Sequence, residues 1–156
     1  MTSTALDPIT IDITRYKLDG IANEMQSTLL RSSFSPIVKE GLDASASLFA
    51  LDGTTLAQSC SIPIHLATLI PAVAKIVAIF PIARMRDGDS YILNDPYCGG
   101  THLPDIAVVQ PVMHRGSIGL SAVLVLVVGA AEVAWLLEGS GLTLAMHFVQ
   151  RLFGLR

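Results

Sequence analysis

Hydrophobic residues recur at helical spacing near the start of the chain. Asp7-Pro8 is a helix-start signal, because aspartate accepts hydrogen bonds from the first free amides and proline needs no donor in the first turn. The apolar positions that follow share one side of a helix with a period near 3.6: Ile9, Ile13, Tyr16, Ile21, Met25 and Leu29. Residues 32–36 break this pattern, since the residue before a proline avoids helical geometry. We therefore expect one long helix, followed by a loop to about Gly41.

A β-hairpin and a second helix are predicted next. Residues 44–51 alternate small polar and apolar side chains, Asp52-Gly53 is a turn signal, and residues 54–58 can pair back on the first strand. Residues 67–80 carry an apolar stripe of helical period that ends at Pro81, which predicts the second helix.

Two further strands flank a polar loop. Residues 90–93 are predicted to form a short buried strand, and residues 106–112 alternate again between polar and apolar side chains. The order of long helix, hairpin, second helix and mixed strands is typical of an α+β fold.

The most apolar part of the chain is residues 118–137, which read IGLSAVLVLVVGAAEVAWLL. This run is about the length of a membrane span, but Glu132 interrupts it, and a carboxylate is costly in hydrocarbon without a partner. The pattern leaves three alternatives open: a buried strand followed by a helix, a membrane span, or a segment without a native partner.

Composition and charge narrow the class of protein. The chain has 156 residues, enough for one compact unit or a piece of a larger one, and a formal net charge of −3 without any run of basic residues. Nucleic acid and anionic membranes are therefore not expected as partners. Cys60 and Cys98 stand apart and the N-terminus lacks the layout of a secretory signal, so we expect a cytoplasmic protein without a disulfide framework.

The candidate chemistry lies in NDPYCGGTHLPD, a polar, glycine-rich run between two apolar strands. His102 and Asp105 are spaced to put a nitrogen and an oxygen on one divalent ion, either zinc or manganese, whose bound water would be a hydrolytic nucleophile. The alternative is structural: Asp95 and Asp105 accept backbone amides in turns, while His102 pins the loop to a carbonyl. Cys98 has no base specified beside it, so we prefer a metal-activated mechanism to a thiol nucleophile.

The same run, preceded by GDSYIL and followed by IAVVQPV, resembles the hallmark segment of the hydantoinase B / 5-oxoprolinase family. This family includes N-methylhydantoinase B-type subunits and acetone-carboxylase-related subunits, and residues 7–122 resemble its N-terminus in order and spacing. The resemblance implies a fragment of a larger α/β subunit that works with a separate, hydantoinase A-like subunit. That A-type partner would use ATP to phosphorylate a small cyclic amide or a ketone-derived substrate, and the B-type part would complete ring opening or carboxylation. We expect ATP on the partner, because this chain has no GxxxxGK[ST] loop.

The resemblance also implies a metal site. Its ligands here would be Asp43 of KEGLD together with His102 and Asp105 of GGTHLPD, and a fourth would come from a histidine in a later AHHxD-like strand end. Around them we expect supporting or substrate-loop residues, which are Asn94, Asp95, Gly99, Gly100, Thr101 and His65. Asn94 and Asp95 would support the ligands through hydrogen bonds. His65, in IPIHL, either lines the site or is a satisfied histidine near a strand end.

The chain departs from the family pattern after residue 122. No AHHxDxGG follows, and the later histidine, His147, lies in an apolar context. We therefore predict that residues 1–122 are the N-terminal part of a hydantoinase B/oxoprolinase-type domain, and that residues 123–156 are a divergent apolar tail, either frameshifted or truncated. Two functions stay open: part of a metal-dependent amidohydrolase or carboxylase-type subunit, and an inactive remnant or docking domain.

Overall fold

The computed structural model describes residues 7–60, 65, 68–114 and 117–126. Within these ranges the chain forms three α-helices and five β-strands. In chain order they are α1 Pro8–Ser32, α2 Pro36–Lys39, β1 Ala44–Phe49, β2 Thr55–Gln58, α3 Leu69–Ile79, β3 Tyr91–Leu93, β4 Asp105–His114 and β5 Ser117–Leu126. Short 3₁₀ turns lie at Ile82–Arg84 and Pro96–Cys98. The α+β fold predicted from the sequence is confirmed.

Helix α1 begins and ends as its sequence predicts. The Asp7 carboxylate accepts a hydrogen bond from the Thr10 amide at 3.2 Å, and Pro8 occupies the first turn. Helix α2 lies where a loop was predicted, so that prediction was wrong for these four residues. Pro36 is suited to the first position of a helix, and the amides of Lys39 and Glu40 both donate at 2.8 Å to the carbonyls four residues before them.

The five strands form one sheet in the order β2-β1-β5-β4-β3, and each neighbouring pair is antiparallel. The predicted hairpin is confirmed as β1 and β2. Strand β5 lies between β1 and β4 and pairs with both along their length. The last of the described strands is therefore the central strand of the described sheet.

The sheet is covered on both faces. Alternate residues of β1 and β4 pack against α1, and the residues between them pack against α3, because successive side chains of a strand point to opposite faces. The α1 face contains Ile21, Ala22, Met25, Leu29, Val38, Ala44, Ala46, Leu48, Ala57 and Val108. The α3 face contains Phe49, Leu69, Ala72, Val73, Ile76, Met85, Ala107 and Val109.

The exposure of two elements follows from the extent of the sheet, and for one of them, β3, the burial prediction was wrong. The first half of the predicted apolar face of α1 is exposed, with Tyr16 at 75%, because the core reaches only the second half of the helix, from Leu18 onward. Strand β3 was expected to be buried, yet Ile92 is 44% exposed. As an edge strand, β3 pairs only with β4 among the described strands.

Strand β5 takes up the start of the long apolar run and extends past residue 122, to Leu126. The rest of that run and the predicted tail, apart from the part within β5, lie outside the described residues. The division of the chain at residue 122 therefore stays a prediction. No helix in the described ranges is both long and apolar enough to cross a membrane.

Because helices cover both faces of the sheet, truncation of a leucine is expected to lower stability only where that leucine is buried under a helix. Leu69 is fully buried at the start of α3, whereas Leu56 in β2 is 47% exposed. We expect Leu69→Ala to lower the free energy of unfolding by about 2–5 kcal/mol, through lost burial and the cavity left behind. Leu56→Ala, the matched control, should change it by less than about 1 kcal/mol. Urea denaturation of both variants checks this, and equal losses would contradict the assigned core.

Candidate functional site

Two carboxylate–imidazole pairs lie at one edge of the sheet, namely the edge formed by the starts of β1 and β4 and the end of β5. Asp43, directly before β1, contacts His65 with 2.9 Å between Oδ1 and Nε2. Asp105, the first residue of β4, contacts His102 with 3.1 Å between Oδ2 and Nδ1. Each pair therefore uses one ring nitrogen and leaves the other for a different partner.

The register of the central strand brings the pairs to the same edge. Ala44 pairs with Val125 of β5, and Asp105 pairs with Leu126. Asp43 and Asp105 therefore flank the end of β5 from opposite sides. Since neighbouring strands lie roughly 4.8 Å apart, their α-carbons are about 10 Å apart.

The Asp43–His65 pair is held by the backbone on both sides. The Ala44 amide donates to the Leu42 carbonyl at 2.9 Å, and Leu42 has a positive φ of 57°, so Asp43 sits at the middle of a tight turn. The His65 carbonyl accepts from Gln58 Nε2 at 2.9 Å and from Thr68 Oγ1 at 3.0 Å. The His65 side chain is only 4% exposed, and its Nδ1 has no hydrogen-bond partner among the described residues.

The His102–Asp105 pair differs in exposure. Asp105 is buried, with its side chain 5% exposed, whereas the His102 ring is 57% exposed. Asp105 Oδ2 also accepts a hydrogen bond from the Thr101 hydroxyl, and the Asp105 amide donates to the His102 carbonyl at 3.0 Å. The buried carboxylate thus fixes the ring of His102 and leaves Nε2 directed away from the pair.

The remaining predicted loop residues shape the backbone. Asn94 Nδ2 donates to the Leu103 carbonyl at 3.3 Å, which ties the two ends of the loop together. Asp95 Oδ1 accepts from the Tyr97 amide at 2.9 Å, and its carbonyl accepts from Gly100 at 2.9 Å. These bonds match the structural alternative for Asp95, and the role of both residues in supporting a metal stays a prediction.

The two glycines permit close approach of the loop to its surroundings. Gly99 has a φ of 101°, and a β-carbon there would lie 2.7 Å from the Pro71 carbonyl oxygen in α3. At Gly100 a β-carbon would lie 2.8 Å from the Asp95 carbonyl oxygen. The loop is therefore seated on the first turn of α3 through Gly99, whereas Gly100 allows the loop to close on its own backbone at Asp95.

Cys98 lies in the same loop and is poorly suited to act as a nucleophile. A hydrogen bond from its thiol to the Asp95 carboxylate, followed by burial and the Asp95 charge, raises the pKa of the thiol. A higher pKa leaves less thiolate at neutral pH, and the thiolate is the reactive form.

Of the three predicted ligands, the structure brings His102 and Asp105 into contact and pairs Asp43 with His65 instead. Across the described part of the chain, no three histidine, cysteine or acidic side chains lie close enough to hold a metal ion. Sequence reasoning missed the contact between Asp43 and His65. The hairpin offered a signal, because its return strand brings the residues after Gln58 back beside the start of β1.

Comparison with known proteins agrees with this fold and loop. Residues 7–135 match the family model described as hydantoinase B/oxoprolinase. A 5-oxoprolinase of Dictyostelium discoideum is 37% identical over 116 residues, which cover 74% of this chain and 9% of that protein. The caprolactamase subunit beta of Pseudomonas jessenii is 36% identical over 113 residues, covering 72% of this chain and 19% of that subunit.

Two solved structures share the fold. The ATP-dependent caprolactamase from Pseudomonas jessenii superposes with a TM-score of 0.66 at 30% identity, covering 78% of this chain and 21% of that one. Nucleotide-free acetone carboxylase gives a TM-score of 0.70 at 24% identity, covering 78% of this chain and 16% of that one, a likeness of fold. The fold described here therefore occurs as a segment of larger chains. The chain belongs to the hydantoinase B/oxoprolinase family and spans a small part of the length of the relatives it matches.

The seating of the loop on α3 predicts unequal effects of alanine at two glycines with positive φ. Gly53 has a φ of 83° and open space around its α-carbon, whereas Gly99 meets the Pro71 carbonyl. We expect Gly53→Ala to lower the free energy of unfolding by about 1 kcal/mol through backbone strain alone. Gly99→Ala should lower it by at least about 1 kcal/mol more, because of the added clash. Urea denaturation measures both, and equal effects would show that the loop is not seated on α3.

The contact between Cys98 and Asp95 predicts that the Cys98 thiol is alkylated slowly. We expect Asp95→Asn to speed alkylation of Cys98 by iodoacetamide at pH 8 severalfold, because loss of the carboxylate lowers the pKa of the thiol and raises its thiolate fraction. Mass spectrometry of the labelled peptides measures the rate, and exposed Cys60 serves as the internal reference in each sample. An unchanged Cys98 rate would contradict the hydrogen bond.

Proposed function

We propose that this chain is the N-terminal part of a metal-dependent B-type subunit of an ATP-dependent amidohydrolase that opens a small cyclic amide of the hydantoin or 5-oxoproline type. The observation that carries the proposal is the position of the GGTHLPD loop. It places the His102–Asp105 pair at the same sheet edge as Asp43–His65, within the part of the chain that matches the family.

The relatives favour ring opening over carboxylation. Proteins named 5-oxoprolinase and caprolactamase, whose names denote cyclic amides, share more than a third of their residues with this chain over the matched region. Acetone carboxylase is 24% identical in sequence, and this likeness supports the fold alone and not the reaction. A carboxylase-type subunit of the same family is the alternative for the reaction.

We infer that zinc or manganese binds at this edge, with Asp43, His102 and Asp105 as the predicted ligands. The donor set supports the inference, since it combines imidazole nitrogen with carboxylate oxygen, which zinc and manganese accept together. Bound metal would polarise the amide carbonyl or acidify a water molecule. The chain itself fixes the His102 ring through Asp105, and fixes Asp105 through the Thr101 hydroxyl.

ATP would act on a partner. The caprolactamase relative is a subunit called beta, which is in keeping with a separate A-type subunit that activates the substrate. This chain has no GxxxxGK[ST] loop of its own for phosphates. We propose that the B-type part receives the activated cyclic amide in the cytoplasm and completes the opening of the ring.

The inactive remnant remains the competing hypothesis. It is favoured by the lack of a third donor near either pair in the described residues, and by the lack of the AHHxD-like histidine in the sequence. The two hypotheses differ in one property that the chain can show without its partner, the ability to retain a metal ion.

Metal content of the purified chain tests the proposal. We expect nearly one zinc or manganese ion per chain after dialysis against trace metal, and loss of most of it in His102→Ala and in Asp105→Ala. Removal of one of few ligands leaves too few donors to hold the ion. Elemental analysis measures the content of wild type and variants side by side.

His114→Ala is the matched control, because His114 closes β4 at the end opposite Asp105 and pairs with Ser117. It should retain the metal of the wild type. A metal content no higher than background in the wild type would reject the metal-dependent function for this chain and leave the inactive-remnant hypothesis. Equal loss in His114→Ala would show binding away from the proposed edge.

A further inference from the structure

The first half of α1 has an apolar side that faces away from the core. At about 100° of rotation per residue this side occupies a sector of roughly 60°, whereas Met25, which is buried in the core, lies on the opposite side of the helix. Ile9 is 68% exposed, Ile13 is 52% exposed and Tyr16 is 75% exposed. The residues of this side, which we call the outer face of α1, are Ile9, Ile13, Tyr16 and Gly20.

The outer face has the character of a contact surface. A helix that is apolar on two opposite sides is normally buried on both of them, and contiguous exposed apolar residues mark an interaction site. Gly20 adds a second observation, because a β-carbon at this position would meet no atom within 4 Å. Glycine weakens the interior of a helix, and no described neighbour uses the space that Gly20 leaves. The space allows another segment to approach the helix closely.

Two carboxylates border the outer face on one flank. Asp12 and Asp19 are seven residues apart, which is about two turns, so they lie on the same flank of α1. Neither makes an ion pair with another described residue, Arg15 included. A segment that covers the outer face is therefore favoured if it carries a positive charge near this flank.

The chain carries an apolar segment of its own beyond β5. Residues 127–156 lie outside the described residues, and the part from 141 to 153 reads GLTLAMHFVQRLF. Arg151 is the single formal charge of this part when histidine is neutral. Its apolar residues recur at helical spacing, at Leu142, Met146, Val149 and Phe153. The segment and the outer face are both apolar, and contact between them would remove both from water.

The end of β5 is close enough for this segment to reach the outer face. Val125 of β5 pairs with Ala44, whose carbonyl accepts a hydrogen bond from Gln26 of α1 at 2.8 Å. Tyr16 is ten residues before Gln26, which is about 15 Å along the helix. Residues 127–140 can span up to roughly 45 Å when extended. The length of the connection therefore does not prevent the contact.

An occupant from the same chain suits the size of the surface better than a second copy does. Stable interfaces between separate proteins bury about 1,200–2,000 Å² in total, and three large side chains expose only a few hundred Å² on each copy. A segment joined to the same chain needs less contact area, because the connection keeps its effective concentration high.

We propose that residues 141–153 pack along the outer face of α1 and place Arg151 beside Asp12 and Asp19. The C-terminal segment thereby covers the exposed half of the first helix without a second protein. This inference is independent of the proposed function, because the outer face contains no residue of the candidate site.

Photo-crosslinking identifies the occupant directly. In the full chain, p-benzoylphenylalanine replaces Tyr16, or Ile79 in the matched control, which is 53% exposed at the end of α3. The purified chains are irradiated at low concentration, and mass spectrometry locates the crosslinked peptides. We expect position 16 to crosslink to residues 141–153 of the same chain, and position 79 not to do so. Crosslinked dimers, crosslinks from position 16 to other parts of the chain alone, or no crosslink from position 16 would overturn the inference.

Trypsin cleavage after Arg151 is the second test. We expect Ile13→Gln to speed this cleavage severalfold, because loss of the apolar contact releases the segment to the protease, and Ile79→Gln to leave the rate unchanged. Mass spectrometry follows the loss of residues 152–156. An unchanged rate in Ile13→Gln, or an equal rise in both variants, would contradict the contact. Circular dichroism establishes that both variants are folded, and if Ile13→Gln is not, the crosslink at position 16 decides.

Discussion

The backbone hydrogen bonds of β5 join parts of the chain that are far apart in sequence. The hairpin of β1 and β2 precedes α3 in the chain, and the pair of β3 and β4 follows α3. These two pairs of strands do not contact each other in the sheet, because β5 lies between them. Strand β5 pairs with β4 over its whole length and with β1 from Leu120 to Val125. The register of both ladders matters, because a slip of one residue reverses the face to which the positions of a strand point.

The same pairing creates the candidate site. Asp43 directly precedes β1 and Asp105 begins β4, two strands that do not pair with each other, and β5 aligns their starts at one edge. The edge therefore depends on the last of the described strands. Long-range pairings of this kind carry a large loop-closure cost, which the burial of both faces of β1 must offset.

Local signals were enough to predict the elements but not their arrangement. Asp7-Pro8, Asp52-Gly53 and Pro81 act within a few residues, and the elements they delimit are confirmed. The exposure of Ile92 was not predictable, because it depends on the place of β3 at the edge of the sheet, and no local pattern encodes strand order. In the site, the spacing of His102 and Asp105 predicted that they lie close together, as ligands of one ion, and the structure has them in direct contact. His65 and Asp43 are far apart in sequence and meet through the hairpin.

The open nitrogen of His65 differs in kind from the other unpaired polar atoms of the described chain. Ser45 and Ser47 also bury hydroxyls without partners, on the α3 face of β1. A hydroxyl rotates about one bond and can turn toward a nearby carbonyl when the structure relaxes. The His65 ring cannot do so, since turning it would break the contact with Asp43. This contact therefore fixes the orientation of the ring and keeps Nδ1 without a hydrogen-bond partner among the described residues.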